Sequence, residues 1–193
     1  AMIGQFQNFV SLIASIANGS IQTGIVKYTA EYKENKEYLT RILKNSFIVT
    51  LSLSFLSSIV LVVFAKYFSI EIMFSDEYTN IIYFLGFSIV FYSLNLYLLS
   101  ILNGLGKIKL FTIINIIISL FSLIIMSILT IQYKLKGALV AIILVQSLVF
   151  FISYILIYKR FGNRFFFSDI FNGVDKVIIV RLFKFSIATF SSG

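Results

Sequence analysis

Runs without a single Asp, Glu, Lys or Arg occupy positions 1–26, 45–65, 78–106, 110–133 and 137–158 of the chain. Each is long enough for a helix rising 1.5 Å per residue to cross about 30 Å of hydrocarbon. The pattern predicts spans near 3–26, 45–66, 79–103, 110–132 and 137–158, and the beginning of a further span at 178–193. Between 110 and 133 stand 15 residues of the Leu, Ile, Phe and Val type. At about −0.3 to −0.6 kcal/mol each at mid-membrane, they favour insertion by several kcal/mol. Transmembrane β-strands need only about ten residues of alternating polarity, so the runs are too long and too uniformly apolar for a barrel. The expected fold class is all-α, a polytopic transmembrane helix bundle.

The runs are not featureless. Gln7, Ser11, Ser15, Asn18 and Gln22 follow one another at helical spacing, and at 100° per residue they share an arc of roughly 80°. Ser46, Thr50, Ser54 and Ser57 repeat the spacing in the second run, as Thr112, Asn115, Ser119 and Ser122 do in the fourth. A helix facing only lipid gains nothing from such a stripe, because each polar group would stand unsatisfied in hydrocarbon. Hydroxyls at this spacing serve close helix packing. The larger amides Gln7, Asn18, Gln22, Asn95, Asn103, Asn115 and Gln146 point instead to a hydrated path. Gly19 and Gly24 flank the end of the first stripe, and Gly104 with Gly106 ends the third run, where glycine permits a bend or a helix stop. The first run is expected to continue as one helix, without interruption, into the charged segment that reaches Asn45. There Glu31, Glu34 and Glu37 interleave with Lys27, Lys33, Lys36 and Arg41, and Glu37 and Arg41 stand at i,i+4.

Composition sharpens the class. The 193 residues are 59% hydrophobic and 12% charged, against about 25% charged in soluble domains, so this is a membrane protein. There is no Cys, His, Pro or Trp. Disulfides, Cys- or His-ligated metal and His-based catalysis are therefore excluded, and no metal or cofactor is expected. The net charge of +8 falls between the apolar runs and not on a separate basic face, which argues against nucleic acid. On alternate connections stand Lys27, Lys33, Lys36, Arg41, Lys44, Lys107, Lys109, Lys159, Arg160, Arg164, Lys176, Arg181 and Lys184, against Lys66, Lys134 and Lys136 on the others. The first group marks the cytoplasmic side. The connection from Tyr158 to Val177 carries Phe161, Phe165, Phe166, Phe167, Ile170 and Phe171, and is expected to lie at the membrane surface. Asp and Glu occur only near the ends of the runs, scattered and without a shared motif, so no catalytic residue is assigned and an enzyme is not expected. No natural start is visible, and the chain is expected to be a fragment.

GQFQNFVSLIASIANGSIQTGIVKYTAEY (Gly4 to Tyr32), LLSILNGLGKIKLFTIINI (Leu98 to Ile116), GALVAIILVQSLVF (Gly137 to Phe150) and DKVIIVRLFKFSIAT (Asp175 to Thr189) resemble Wzx-type O-antigen flippases. These are polysaccharide transporters of the superfamily that includes the MATE multidrug exporters. The resemblance runs over essentially the whole chain. It implies a MATE-like lobe of the bacterial inner membrane, holding the second to sixth helices and the beginning of the seventh. It further implies a central cavity, alternating access, and a cargo of undecaprenyl-diphosphate-linked oligosaccharide, with an O-antigen polymerase and a chain-length regulator as possible partners. The substrate path would then be lined by Gln7, Asn18, Gln22, Lys27, Asn95, Asn115 and Gln146. Lys27, at the inner end of the striped helix, is the candidate for the diphosphate, or else a snorkelling anchor at the interface. A MATE-like drug exporter and a non-transporting membrane scaffold are the alternatives.

Overall fold

The computed structural model describes residues 2–161 and 175–191, all of whose regular elements are helical. In chain order these are α1 (Met2–Ala17), α2 (Gln22–Glu31), α3 (Lys36–Val63), α4 (Ala65–Met73), a 3-10 turn (Asp76–Tyr78), α5 (Thr79–Gly104), α6 (Ile108–Phe161) and α7 (Lys176–Ser191). Of these, α3, α5 and α6 are long and apolar enough to cross a membrane, and α1 with α2 forms a fourth such unit bent by 50°. Leu12, Phe55, Leu56, Phe87, Leu123 and Ile131 lie exposed on the outside of the bundle, an apolar surface suited to lipid. The expected surface-lying connection falls largely at 162–174, outside the described residues.

The expectation of one uninterrupted first helix is wrong. Gly19 and Ser20 both adopt positive φ, 57° and 51°. The Gly19 N–H donates to the Ile16 carbonyl at 2.8 Å and the Ser20 N–H to the Ser15 carbonyl at 3.0 Å, the paired closure of a Schellman motif with glycine at the left-handed position. The five-residue polar stripe therefore does not form a single face, because its helical phase is lost at the break. A second correction follows at the charged segment. There α2 stops at Glu31, and Asn35 caps a new helix by accepting the Tyr38 N–H at 3.0 Å. The Glu37–Arg41 pair does form, at 2.7 Å on the exposed face of α3.

The fourth and fifth predicted spans lie within α6, whose backbone leaves helical geometry at Lys134 (φ 51°, ψ −129°). Unbroken, its residues would extend roughly 80 Å, far beyond a bilayer. Instead the chain reverses. A Cβ on Gly137 would overlap the Leu129 carbonyl, a contact impossible across eight residues of straight helix. Two antiparallel arms result, 108–133 and 135–161.

At the centre stands α5, packed against α1, α2, α3, α4 and α6. Around one half of it gather Phe6, Val10, Leu61, Ile82, Leu85 and Leu139; around the other gather Ile25, Ile42, Leu98, Leu102, Ile157 and Leu182. Charge separates between the two ends of the bundle. Glu77 pairs with Lys136 at 2.5 Å at one end. At the other, Lys107, Lys109 and Arg160 line one hollow of about 390 Å³.

Candidate functional site

The site forms where α2 runs beside the last turns of α5. Gly104 makes the approach possible, since its Cβ position lies 2.7 Å from the Val26 carbonyl and 2.7 Å from the Thr29 side chain. Across the other flank of α2 lies α7, with the Thr23 hydroxyl 3.4 Å from Ser186 Oγ and the Leu182 carbonyl against Gly24. α5 ends in its own Schellman closure: the Gly106 N–H donates to the Asn103 carbonyl and the Lys107 N–H to Leu102. That turn swings the start of α6 back over the gap.

Between α2, α5, α6 and α7 remains a cavity of about 600 Å³, lined by Gln22, Thr23, Lys27, Ser100 and Asn103 on its polar side and by Phe111 and Phe185 among its apolar walls. The Lys27 ammonium lies 4.2 Å from the centroid of the Phe185 ring and 5.0 Å from that of Tyr28. Such contacts contribute about 0.5–1 kcal/mol at an exposed site and leave the positive charge uncancelled, as a carboxylate would not. The Ser100 hydroxyl donates to its own helix at the Leu96 carbonyl, 2.9 Å away. The amides of Gln22 and Asn103 make no side-chain hydrogen bond among the described residues. The cavity thus presents one cation and two amides against an aromatic wall, a set that suits an anionic group carried on a hydroxyl-rich molecule.

Of the residues expected along a hydrated path, Gln22, Asn103 and Lys27 come together here, and the others do not. Gln7 lies exposed on α1, far on the other side of the break. Asn18 is fully buried at the break, its Nδ2 donating to the Ala14 carbonyl at 2.9 Å. Asn95 is buried on the face of α5 that meets the second arm of α6. Phe91, one turn earlier, has its ring 5.8 Å from Phe150 and 5.4 Å from Phe151, which brings Asn95 to the level of Ser153. Asn115 sits on the first arm, half-buried, and donates to the Phe111 carbonyl at 2.9 Å. Gln146 is half-buried on the second arm. The second-run hydroxyls Ser46, Thr50 and Ser54 are buried between helices, the packing role expected of small polar residues.

Sequence reasoning missed Thr23, Ser100, Phe111 and Phe185. Gln22, Thr23, Val26 and Lys27 share one side of α2 at helical spacing, a signal that was readable. Nothing local marks Phe185, which reaches Lys27 only through the docking of α7. Among the described residues no cluster of acidic side chains could hold a metal ion. In comparisons with known proteins, no family model, no curated protein and no solved structure matches this chain.

Proposed function

We propose that this chain forms part of a carrier that moves an undecaprenyl-diphosphate-linked O-antigen oligosaccharide across the bacterial inner membrane by alternating access. The observation that supports it most is Lys27. Its ammonium is held over Phe185, with no carboxylate partner among the described residues, inside a cavity of about 600 Å³ at the basic end of a lipid-facing bundle. A diphosphate cannot enter hydrocarbon without compensation. A cation beside amides and aromatic rings supplies charge for the phosphate and stacking and hydrogen-bonding surfaces for the sugar, while the prenyl chain stays in lipid. The resemblance of Gly4 to Tyr32, Leu98 to Ile116, Gly137 to Phe150 and Asp175 to Thr189 to Wzx-type flippases supplies the identity of the cargo.

Two other readings follow from the same superfamily or from none. The aromatic wall would suit a drug exporter, but Lys27 disfavours the cationic compounds that such a wall attracts. A scaffold would need no such cavity.

The test is O-unit export in cells whose own carrier has been deleted and replaced by the full-length protein of which this chain is part. Lys27→Ala is expected to leave lipid-linked units on the cytoplasmic leaflet, and Lys27→Arg to retain part of the export, because charge is kept while the compact ammonium becomes a planar fork. Undiminished export by Lys27→Ala, present in the membrane at normal level, would remove the phosphate role. Altered drug resistance with unchanged O-antigen would favour the exporter, and a deletion without either phenotype the scaffold.

A further inference from the structure

We infer that one buried water molecule sits where the break between α1 and α2 meets α3 and α5, held jointly by Asn18, Thr50 and Ser93. The inference is independent of any transport reading.

Each of the three residues is fully buried, and each carries an oxygen without a hydrogen-bond partner: Asn18 Oδ1, Thr50 Oγ1 and Ser93 Oγ. Buried polar groups without partners are rare and costly. The two hydroxyls stand out within their own helices. On α3, Ser46 donates to the Ile42 carbonyl at 2.7 Å and Ser54 to Leu51 at 3.0 Å; on α5, Ser100 donates to Leu96 at 2.9 Å. Such back-bonding to the preceding turn is the ordinary resource of a hydroxyl in a helix. Thr50 and Ser93 do not use it.

Helix register brings the three to one depth. α3 and α5 run antiparallel, with Leu61 against Gly86 and the Phe47 and Tyr97 rings 5.8 Å apart. Between these contacts α3 advances 14 residues and α5 11, and interpolating between them puts Thr50 within about half a turn of Ser93 along the helices. Ser93 lies one turn before Tyr97 and two turns after Gly86, on the face of α5 that meets α3. α2 and α5 run parallel, with Thr29 against Gly104, and counting seven residues back along both sets Gln22, the first residue of α2, opposite Tyr97, one turn beyond Ser93, so that the break holding Asn18 follows directly on that level. The break also touches α3 directly, because the Cβ position of Gly19 falls 2.6 Å from Leu53 Cδ1, one turn beyond Thr50.

The chemistry of the three groups selects the occupant. Asn18 has its Nδ2 facing the Ala14 carbonyl, which can only accept, so its Oδ1 points away and needs a hydrogen. A water gives one hydrogen to that oxygen and accepts the hydroxyl hydrogens of Thr50 and Ser93, three bonds in all, the usual number for a buried water. A monovalent cation would meet neutral oxygens only, without a carboxylate to offset its charge in a low-dielectric site.

The sign of a stability change tests this. Thr50→Val keeps the shape and removes the hydroxyl. If that hydroxyl bonds a shared water, the melting temperature of the purified protein in detergent falls by about 2–4 °C. Ser93→Ala should do likewise, and the double variant should lose less than the two together, because both act through one molecule. A Thr50→Val protein that melts at the wild-type temperature or above overturns the inference, since removing an unpartnered buried hydroxyl is neutral or stabilising. So does a melting temperature that rises with sodium over choline and loses that rise in Thr50→Val, which would identify a cation. A measurement on the unaltered protein is magnetisation transfer in NMR from long-lived water to the Asn18 side-chain amide: transfer is expected, and its absence counts against the site.

Discussion

Lys27 and Gly104 act on the same cavity from opposite directions. Lys27 gives it charge; Gly104 sets its width, by letting the Val26 carbonyl come within 2.7 Å of where a side chain would begin. Gly104→Ala should therefore push α2 from α5 and cost about 1–3 kcal/mol, the usual range for overpacking, read as a lowered melting temperature in detergent. Gly4→Ala is the control, with open space around its Cβ position, and is expected to melt at or slightly above the wild-type temperature. Equal effects at the two glycines would mean that α2 does not depend on that close approach. At this scale the sequence was only half legible. Gly19 and Gly106 could be seen as permitted bends, but permission is not necessity. What made them stops was the closure of specific N–H groups onto Ile16, Ser15, Asn103 and Leu102, and a periodic count of polar residues passes through such a stop without noticing it.

Elements were more readable than their junctions. Charge-free run length locates α3, α5 and both arms of α6, because the cost of burying charge in hydrocarbon is large and independent of packing. It cannot place Phe185 over Lys27, which depends on how α7 docks 158 positions later in the chain. The reversal at Lys134 yields a test at this scale. Single cysteines replacing Lys107 and Lys159, at the two ends of α6, should be labelled by an impermeant thiol reagent from the same side of the membrane, and one replacing Lys134 from the other. Labelling of the 107 and 159 positions from opposite sides would require an unreversed α6. Gly137→Ala, whose methyl group would collide with the Leu129 carbonyl, should reduce the amount of correctly inserted protein.

For the whole molecule, the separation of basic residues orients the bundle. A cysteine at Asn35 should react only from the cytoplasm and one at Glu77 only from outside, as the excess of Lys and Arg on the Lys27 side requires. Both positions are exposed, so the outcome reads orientation and not burial. Reversed labelling would place the cavity at the outer leaflet, where a cytoplasmic lipid-linked substrate could not enter it first, and the proposed direction of transport would fall with it.

The reversal inside α6 also bears on how the protein acquires its structure. Its two arms are joined through Lys134 with no intervening loop, so bringing them together closes almost no chain and forfeits little loop entropy. The hairpin is thus a local folding unit, able to assemble before α1, α2 and α7 supply their long-range contacts. Lengthening the turn by a flexible insert after Lys134 should slow refolding more than it lowers final stability, since chain length enters stability only logarithmically while contact separation weighs heavily on rate.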